Sequence, residues 1–138
     1  MSLELELRVG SKLHTVRLGE LLGQAVGPGD VVVLSGPLGS GKTVFVQGMA
    51  QGLGADSSQV HSRLSLYHFD LYRLDSSDEL LRLSFDEYLF DGEGVSAVEW
   101  GDKFADMMPE QALWVSFSTV PEEPSQRCIR LSAEGPEA

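Results

Sequence analysis

The sequence has one cysteine, no basic leader and no long apolar run, and each absence narrows the class of protein. Cys128 cannot form a disulfide within the chain, which fits a reducing compartment, and its alternating surroundings predict a small buried apolar side chain. The N-terminus has no basic region followed by an apolar stretch, so we expect no signal peptide. No apolar run reaches the length of a membrane span. We therefore expect a cytoplasmic protein that does not enter a membrane.

Basic residues are also scarce, with 10 Lys and Arg against 21 Asp and Glu and a net charge of −11. A surface that holds tRNA or DNA should be basic, because phosphate contacts dominate its affinity. We therefore expect no tight tRNA binding by this chain alone. The acidity is explained equally well by solubility and by a basic protein partner. The length predicts one domain over residues 1–133, followed by a disordered tail over residues 134–138.

One stretch carries a strong chemical signal and fits the phosphate-binding pattern G-x-x-x-x-G-K-[ST]. It reads Gly36-Pro37-Leu38-Gly39-Ser40-Gly41-Lys42-Thr43 and continues into Val44. A β-branched run at residues 30–35 precedes it, and apolar positions at helical spacing follow over residues 44–53. The dinucleotide pattern G-x-G-x-x-G fits less well, because it has no use for Lys-Thr at its end. The context of strand, glycine loop and helix predicts a P-loop.

The residue types of this loop suit a nucleoside triphosphate. Glycines let the backbone N–H groups approach the phosphate oxygens, and the following helix N-terminus favours anions. Lys42 is predicted to contact the β- and γ-phosphates, while the Thr43 hydroxyl is predicted to bind Mg²⁺. We therefore expect ATP and Mg²⁺ as cofactors.

The remaining periodicity predicts alternating strands and helices. Strands are expected at residues 3–9, 30–35, 66–72 and 95–100. Helices are expected at residues 16–26, with Thr15 as N-cap, at 44–53 and at 102–108, and a helix that starts near residue 75 continues as helix or turn to 90. Residues 112–120 and 126–133 are expected to form a hairpin. This order predicts a three-layer α/β fold with a mainly parallel central sheet. The first strand and the last hairpin would add antiparallel edge strands.

Hydrolysis needs an acid near Mg²⁺, and in open α/β sheets such groups lie at the carboxyl ends of strands. Asp70 and Glu99 qualify. The alternatives are a structural Asp70 that pairs with Arg73 or caps a turn, and an exposed strand-end Glu99. Trp100 either shields the phosphates or simply packs. His68 is more often a satisfied structural histidine than a catalytic one.

Several motifs together resemble the TsaE family, formerly YjeE, of bacterial ATPases in tRNA threonylcarbamoyladenosine biosynthesis. They are the P-loop, His68-Phe69-Asp70-Leu71-Tyr72-Arg73-Leu74, Asp78-Glu79-Leu80 and Val98-Glu99-Trp100. The P-loop alone is generic, whereas the His68–Leu74 string and Val98-Glu99-Trp100 together, in this order and in so short a protein, are specific to the family. The resemblance covers nearly the whole chain.

The resemblance implies a small ATPase, weak alone, that serves the two-subunit transferase of TsaD with TsaB. That complex attaches threonylcarbamoyl to N6 of adenosine 37 in tRNAs that read codons starting with A. Matched positions imply catalytic roles for Lys42, Asp70 and Glu99, and metal binding by Thr43, Asp70 and Glu99. They also imply nucleotide contacts from Thr15, near the adenosine end, from Pro37, Leu38, Gly39, Ser40, Gly41, Lys42, Thr43 and Val44, and from Trp100.

One departure from the family pattern follows the P-loop helix. The family has Ser-Pro-Thr and about a dozen further residues where Ser62 here is followed at once by Arg63. Either the protein lacks this switch-like segment, or the printed sequence joins two stretches that a further loop separates. We favour the second explanation, because switch segments of P-loop proteins are often disordered. A true absence would put hydrolysis in doubt, but not nucleotide binding.

Two functions of other classes remain open beside the ATPase subunit. The first is a small P-loop metabolite kinase, although such kinases usually carry a lid with several arginines and no arginine cluster occurs here. The second is a non-catalytic module that changes shape when it binds a nucleotide. Acceptor-dependent ADP production would indicate the kinase, and firm ATP binding with only trace turnover would indicate the switch.

Overall fold

The computed structural model describes residues 4–54, 65–89 and 92–133. The predictions for the tail and for the segment around Ser62 lie outside these residues. The elements in chain order are β1 (Glu4–Val9), α1 (Lys12–Ala25), β2 (Val31–Ser35), α2 (Lys42–Gly52), β3 (Leu66–Asp70), α3 (Ser77–Arg82), α4 (Phe85–Leu89), β4 (Val95–Glu99), a 3-10 helix (Gly101–Met107), β5 (Leu113–Val120) and β6 (Glu123–Ser132). Within the described ranges, no helix is both long and apolar enough to cross a membrane.

The six strands form one sheet in the order β1-β6-β5-β2-β4-β3. β2 is parallel to β4 and β5, and β3 is parallel to β4, whereas β6 is antiparallel to both β5 and β1. The predicted α/β fold with a mainly parallel centre and antiparallel edge strands is confirmed. Both antiparallel pairings lie on the same side of the sheet, because the hairpin stands between β1 and the parallel strands.

Apolar side chains fill the space on both faces of the sheet and explain its buried centre. One cluster joins the sheet to the α1–α2 side, through residues such as Val32, Phe45 and Met49. The other includes Val33, Leu80 and Phe85 and covers the side of α3 and α4. Because both faces are covered, β2 reads as a continuous apolar run rather than as an alternating one. Three layers result, as the order of elements predicts.

α1 packs unusually closely against α2 through glycines. A Cβ atom added to Gly19 would lie 2.2 Å from the carbonyl oxygen of Phe45, and one added to Gly48 would lie 2.2 Å from that of Val16. Real Cβ atoms do not approach backbone oxygens so closely, so both positions need glycine. The buried positions of α1 are Thr15, Gly19 and Gly23. This contact fixes α1 against the helix that follows the P-loop.

The sequence-based start of α1 is wrong. The helix begins at Lys12, and its N-cap is Ser11, whose hydroxyl accepts a hydrogen bond from the backbone N–H of His14 at 3.2 Å. Thr15 lies within the first turn instead. Helical spacing over residues 16–26 predicts one apolar face of Leu18, Leu21, Leu22 and Val26; Leu18, Leu22 and Val26 pack in the core, whereas Leu21 is 48% exposed. The leucine pattern therefore located most of the apolar face, but it gave no sign of the close contact with α2, which is made through Gly19 and Gly23, residues too small to give an apolar signal.

Two expectations about β6 also need correction. The strand begins at Glu123 rather than at residue 126, so the hairpin turn is shorter than expected. Cys128 is only partly buried, and its thiol donates a hydrogen bond to Oε1 of Glu6 at 3.0 Å across the β1–β6 edge. This hydrogen bond raises the pKa of the Cys128 thiol, and partial desolvation adds to it. Cys128 is therefore not the buried apolar side chain that the alternating sequence predicts.

Candidate functional site

The loop over residues 36–43 joins β2 to α2 and is shaped by glycines. Gly36 has a φ of 139°, and a Cβ atom there would lie 2.6 Å from the carbonyl oxygen of Phe117. Only glycine fits both the torsion angle and the space. Gly41, with a φ of 109°, is the N-cap of α2. The loop thus places the free N–H groups of a helix N-terminus at the end of the sheet, where they favour an anion.

Lys42 is the cation at the centre of this loop and is only 4% exposed. Its ammonium donates to the carbonyl oxygen of Gly36 and, at 3.4 Å, to that of Pro37. It also lies 3.6 Å from the centroid of a Trp100 ring, a cation–π contact. Burial lowers the pKa of Lys42, although the carboxylates of Glu99, Asp102 and Asp70 oppose this shift.

Glu99, at the end of β4, is held by two side chains from other elements. The hydroxyl of Thr43 lies 3.0 and 3.1 Å from its two carboxylate oxygens, and Nε2 of His68 lies 2.6 Å from Oε2. Burial alone would raise the pKa of Glu99, but these hydrogen bonds and the charges of His68 and Lys42 lower it on balance. At 3% exposure Glu99 is not an exposed strand-end acid. His68 is a satisfied histidine whose partner is this acid.

Asp70 lies beside Glu99 in the register of β3 and β4 but has a different environment. It is exposed, and its Oδ1 accepts a hydrogen bond from the backbone N–H of Tyr72 at 3.1 Å. Asp70 therefore caps a turn, one of the two structural alternatives, whereas no ion pair joins these described residues Asp70 and Arg73. Oδ1 of Asp70 is therefore held by a backbone N–H of the turn rather than by a basic side chain.

Trp100 follows Glu99 in a left-handed conformation, with a φ of 65° and a ψ of 24°. Its backbone N–H donates to the carbonyl oxygen of Leu34 at 2.9 Å, which anchors the residue to β2. Its indole packs on Lys42 and against Tyr72, whose ring centroid is 5.1 Å away. The indole thus covers the P-loop lysine as well as packing.

These groups line a pocket of about 420 Å³. The P-loop and the start of α2 form its base, and Asp70, Tyr72, Glu99 and Trp100 form one wall. The opposite wall comes from the β1–α1 junction and the start of β6: Val9, Ser11, Lys12, Thr15, Pro124, Ser125 and Arg127. Three of the 10 basic residues of this acidic chain, Lys12, Lys42 and Arg127, therefore meet at one pocket. Such a concentration favours an anionic ligand.

The structure brings together the predicted site residues with one exception and adds several others. Pro37 is not in the pocket lining; its carbonyl oxygen accepts from Lys42 at 3.4 Å and from the backbone N–H of Ser40 at 3.2 Å. Tyr72, Lys12 and Arg127 were missed. Arg127 enters because β6 pairs with β1, where Arg127 lies opposite Val9, a long-range pairing that no local pattern reveals. Its guanidinium donates to the carbonyl oxygens of Pro124 at 2.7 Å and Gln126 at 2.9 Å.

The donors at this pocket fit a nucleotide with a divalent cation. The buried hydroxyl of Ser40 has no hydrogen-bond partner among the described residues, as expected of a donor reserved for a phosphate. Thr43 and the two acids offer the hard oxygen atoms that Mg²⁺ prefers. The described residues contain no group of three or more His, Cys, Asp or Glu that could hold a metal. A cation here would therefore share its coordination with phosphates and water.

Comparisons with known proteins find relatives of one family. A sequence profile described as "Threonylcarbamoyl adenosine biosynthesis protein TsaE" matches residues 9–129. Proteins named "tRNA threonylcarbamoyladenosine biosynthesis protein TsaE" are similar to this chain. The one from Treponema pallidum is 37% identical over 80% of this chain and 88% of its own length. The one from Bacillus subtilis is 34% identical over 96% and 87%.

A solved structure adds the fold to this sequence similarity. The crystal structure of Bacillus subtilis YdiB matches with a TM-score of 0.81 and 31% identity, and it covers 98% of this chain and 88% of that one. The sequence profile, the relatives and the fold all agree with the resemblance carried by the P-loop, the His68–Leu74 string and Val98-Glu99-Trp100. The chain belongs to the TsaE family of threonylcarbamoyl adenosine biosynthesis proteins.

Proposed function

We propose that this chain is the ATP-binding and ATP-hydrolysing subunit required for threonylcarbamoyl modification of N6 of adenosine 37 in tRNAs that read codons starting with A. The observation that carries the proposal is the contact between Thr43 and Glu99. It joins the P-loop helix to a strand-end acid, the two groups that hold Mg²⁺ in P-loop ATPases. This pair lies in a chain of the TsaE family, beside a buried lysine.

The base of the pocket is assigned to the triphosphate. Lys42 would exchange the carbonyl oxygens of Gly36 and Pro37 for the β- and γ-phosphates, while the loop amides and the Ser40 hydroxyl donate to the phosphate oxygens. Thr15, on the wall formed by α1, is assigned to the adenosine end. Trp100 flanks the nucleotide from the other wall. The residues proposed to contact the nucleotide are the same ones that the family resemblance implies: Thr15, Pro37, Leu38, Gly39, Ser40, Gly41, Lys42, Thr43, Val44 and Trp100.

The two acids are assigned different parts in hydrolysis. Thr43 and the buried Glu99 would hold Mg²⁺, a Lewis acid that stabilises the charge that develops on the phosphates. Asp70, exposed at the end of the neighbouring strand, has room for water and would complete the metal site or orient the attacking water. Lys42 would stabilise the transferred phosphoryl group. His68 would keep Glu99 in one orientation.

The chain is proposed to act in the cytoplasm as one domain over residues 1–133, together with TsaD and TsaB. Its surface is acidic, so the partners rather than this subunit are expected to hold the tRNA. Arg127, the one arginine that the described residues contribute to the pocket lining, donates to backbone carbonyl oxygens of its own strand. A further positive group for the transition state is expected from the partners, which makes the isolated subunit a weak ATPase.

Reconstitution tests the proposal. We expect TsaD–TsaB with tRNA to form threonylcarbamoyladenosine over many turnovers only when this protein and ATP are present, with ATP turnover raised by the complex. Lys42→Ala is the inactive control. ADP formed only with a small-molecule acceptor would identify a kinase. Firm ATP binding without added turnover, even with TsaD–TsaB, would identify a non-catalytic switch.

A further inference from the structure

Lys103, in the 3-10 helix, ties that helix to the turn that follows β3. Its ammonium donates to the carbonyl oxygens of Leu74 at 2.7 Å and Tyr72 at 2.8 Å, and lies 3.5 Å from that of Leu71. An ammonium carries three donors, so a single lysine can serve all three oxygens. The turn is closed internally by a hydrogen bond from Leu74 N to Leu71 O at 3.1 Å. Lys103 thus holds the turn as a unit.

The same turn is bound to the nucleotide pocket on its other side. The backbone N–H of Leu71 donates to the carbonyl oxygen of Glu99 at 3.0 Å. The backbone N–H of Tyr72 donates to the carboxylate of Asp70 at 3.1 Å. The turn is therefore bonded through its carbonyl oxygens to Lys103 and through its N–H groups to both strand-end acids.

The turn carries Tyr72, which supports the wall of the pocket. The Tyr72 ring is 5.1 Å from Trp100 at an angle of 44°, and Trp100 lies 3.6 Å from the Lys42 ammonium. Tyr72 is 44% exposed. With so much of it in water, its position depends on the backbone of the turn more than on core packing. Holding the turn therefore holds Tyr72 against Trp100, the ring that lies over Lys42.

Lys103 is also close to Trp100 along the chain. Its backbone N–H donates to the carbonyl oxygen of Trp100 at 3.2 Å, within the first turn of the 3-10 helix. Its main chain is thus bonded to Trp100, while its side chain is bonded to the carbonyl oxygen of Tyr72. One residue is consequently bonded to the main chain of both ring-bearing residues.

We propose that Lys103 is a positioning residue for nucleotide binding: it holds Tyr72 against Trp100 and thereby sets the place of the Lys42 ammonium for phosphate. The part that concerns ATP rests on the proposed function, but the link from Lys103 to the indole does not need a nucleotide. A lysine that merely stabilised a surface turn would leave the affinity for ATP unchanged.

The test compares Lys103→Met, which keeps the apolar stem but loses the donors, with Lys103→Arg, which keeps donors. We expect Lys103→Met to raise the Kd for ATP about three- to tenfold, less than the loss of a hydrogen bond between a charged donor and ATP itself would produce, because Lys103 acts on the nucleotide only through Tyr72 and Trp100. KM should rise with Kd, while kcat stays within about twofold. Lys103→Arg should recover most of the affinity. Arg17→Met, which removes an exposed cation paired with Glu20 in its own helix, is the matched control.

Two further measurements separate positioning from general stability. In Tyr72→Leu protein, Lys103→Met should add little further loss of ATP affinity, because both changes act through one ring contact. Without nucleotide, Lys103→Met should increase acrylamide quenching of tryptophan fluorescence, because Trp100 becomes more accessible. The other tryptophan, Trp114, is only 6% exposed and is therefore quenched little. Equal losses with and without Tyr72, or unchanged quenching, would overturn the inference. If the wild-type protein fails to bind ATP, the proposed function fails, and quenching alone decides the position of the indole.

Discussion

The hydroxyl of Thr43 reaches both carboxylate oxygens of Glu99, at 3.0 and 3.1 Å, across 56 residues of sequence. Nε2 of His68 lies 2.6 Å from Oε2, so two hydrogen-bonding side chains hold the carboxylate. Because Glu99 is almost fully buried, its orientation is set by these partners rather than by water. An acid fixed in this way needs little reorganisation during a reaction, which is where preorganised groups contribute most.

Lys42→Ala should abolish productive ATP binding and leave the fold intact. Lys42 is buried and its carbonyl contacts lie within the P-loop, so the loss concerns the ligand more than the core. We expect Kd in calorimetric titration to rise at least about thirtyfold, the lower end of the cost of removing one partner of a buried charged contact. Arg17→Met serves as the control for loss of an exposed cation. If the variant binds ATP with the affinity of wild type and has the same melting temperature, the loop does not have the phosphate-binding role assigned to it.

Glu99→Ala should reduce hydrolysis much more than nucleotide binding. A strand-end acid that holds the cation acts mainly in the transition state, so kcat should fall at least about tenfold while Kd for ATP changes by less than about threefold. Glu87→Gln, an exposed acid on α4 outside the pocket lining, is the control. Turnover within about threefold of wild type, less than ~1 kcal/mol of barrier, would make Glu99 a bystander.

The pKa of Glu99 gives a prediction for stability against pH in the absence of divalent cations. Burial would raise this pKa, but the bonds from His68 and Thr43 and the charges of His68 and Lys42 hold it below its ordinary value. Such a carboxylate contributes stability above its unfolded pKa and loses it as the pH falls through the folded pKa. Between about pH 5 and about pH 3, wild type should therefore lose more melting temperature than Glu99→Gln. Equal losses in EDTA would contradict the stabilised carboxylate.

Gly48→Ala should destabilise the protein even though alanine favours helices. The helix preference would contribute about 1 kcal/mol of stability. The added Cβ, however, would lie 2.2 Å from Val16 O and 3.0 Å from Glu20 N, both backbone atoms. Forcing α1 and α2 apart costs about 1–3 kcal/mol or more, so the melting temperature should fall. Gly27→Ala, where nothing lies within 4 Å, is the control. Equal melting temperatures of the two variants would show that α1 and α2 can move apart without loss of stability.

The sequence predicted those parts of the site whose signals are local. The P-loop is a contiguous pattern, and the rule that acids act at strand ends selected Asp70 and Glu99. The parallel register of β3 and β4 places these two acids side by side. Their different environments depend on burial, since Glu99 is enclosed by Thr43 and His68 whereas Asp70 caps a turn in water.

Other features arise from long-range contacts and gave no local signal. Arg127 reaches the pocket because β6 pairs with β1. α1 packs on α2 through glycines that give no apolar signal, so the leucines located most of its buried side but not its start or this contact. The left-handed conformation of Trp100, which places its indole over Lys42, is unusual for an aromatic residue and could not be expected from propensity.

The charge of the chain leads to a last prediction, that the isolated protein binds tRNA negligibly and hydrolyses ATP slowly until its partners complete the site. With 21 acidic against 10 basic residues, the surface repels a phosphate backbone. Three of those basic residues line the pocket, and Arg127 among them is bonded to backbone carbonyl oxygens. Where no arginine reaches the transition state, a P-loop site can be slower by a factor of about 10³ to 10⁵.

The measurement has two arms at near-physiological salt. Filter retention of labelled tRNA by the isolated protein should give no saturable binding, and the same assay with TsaD–TsaB should retain the tRNA. ATP turnover should be slow alone and should rise when TsaD–TsaB is added, with a stimulation that falls as salt increases, because an acidic surface docking on a basic one is screened. Lys42→Ala reports the background turnover. Tight tRNA binding by the lone protein, or full-speed hydrolysis that the partners do not raise, would contradict this account of the charge and of the incomplete site.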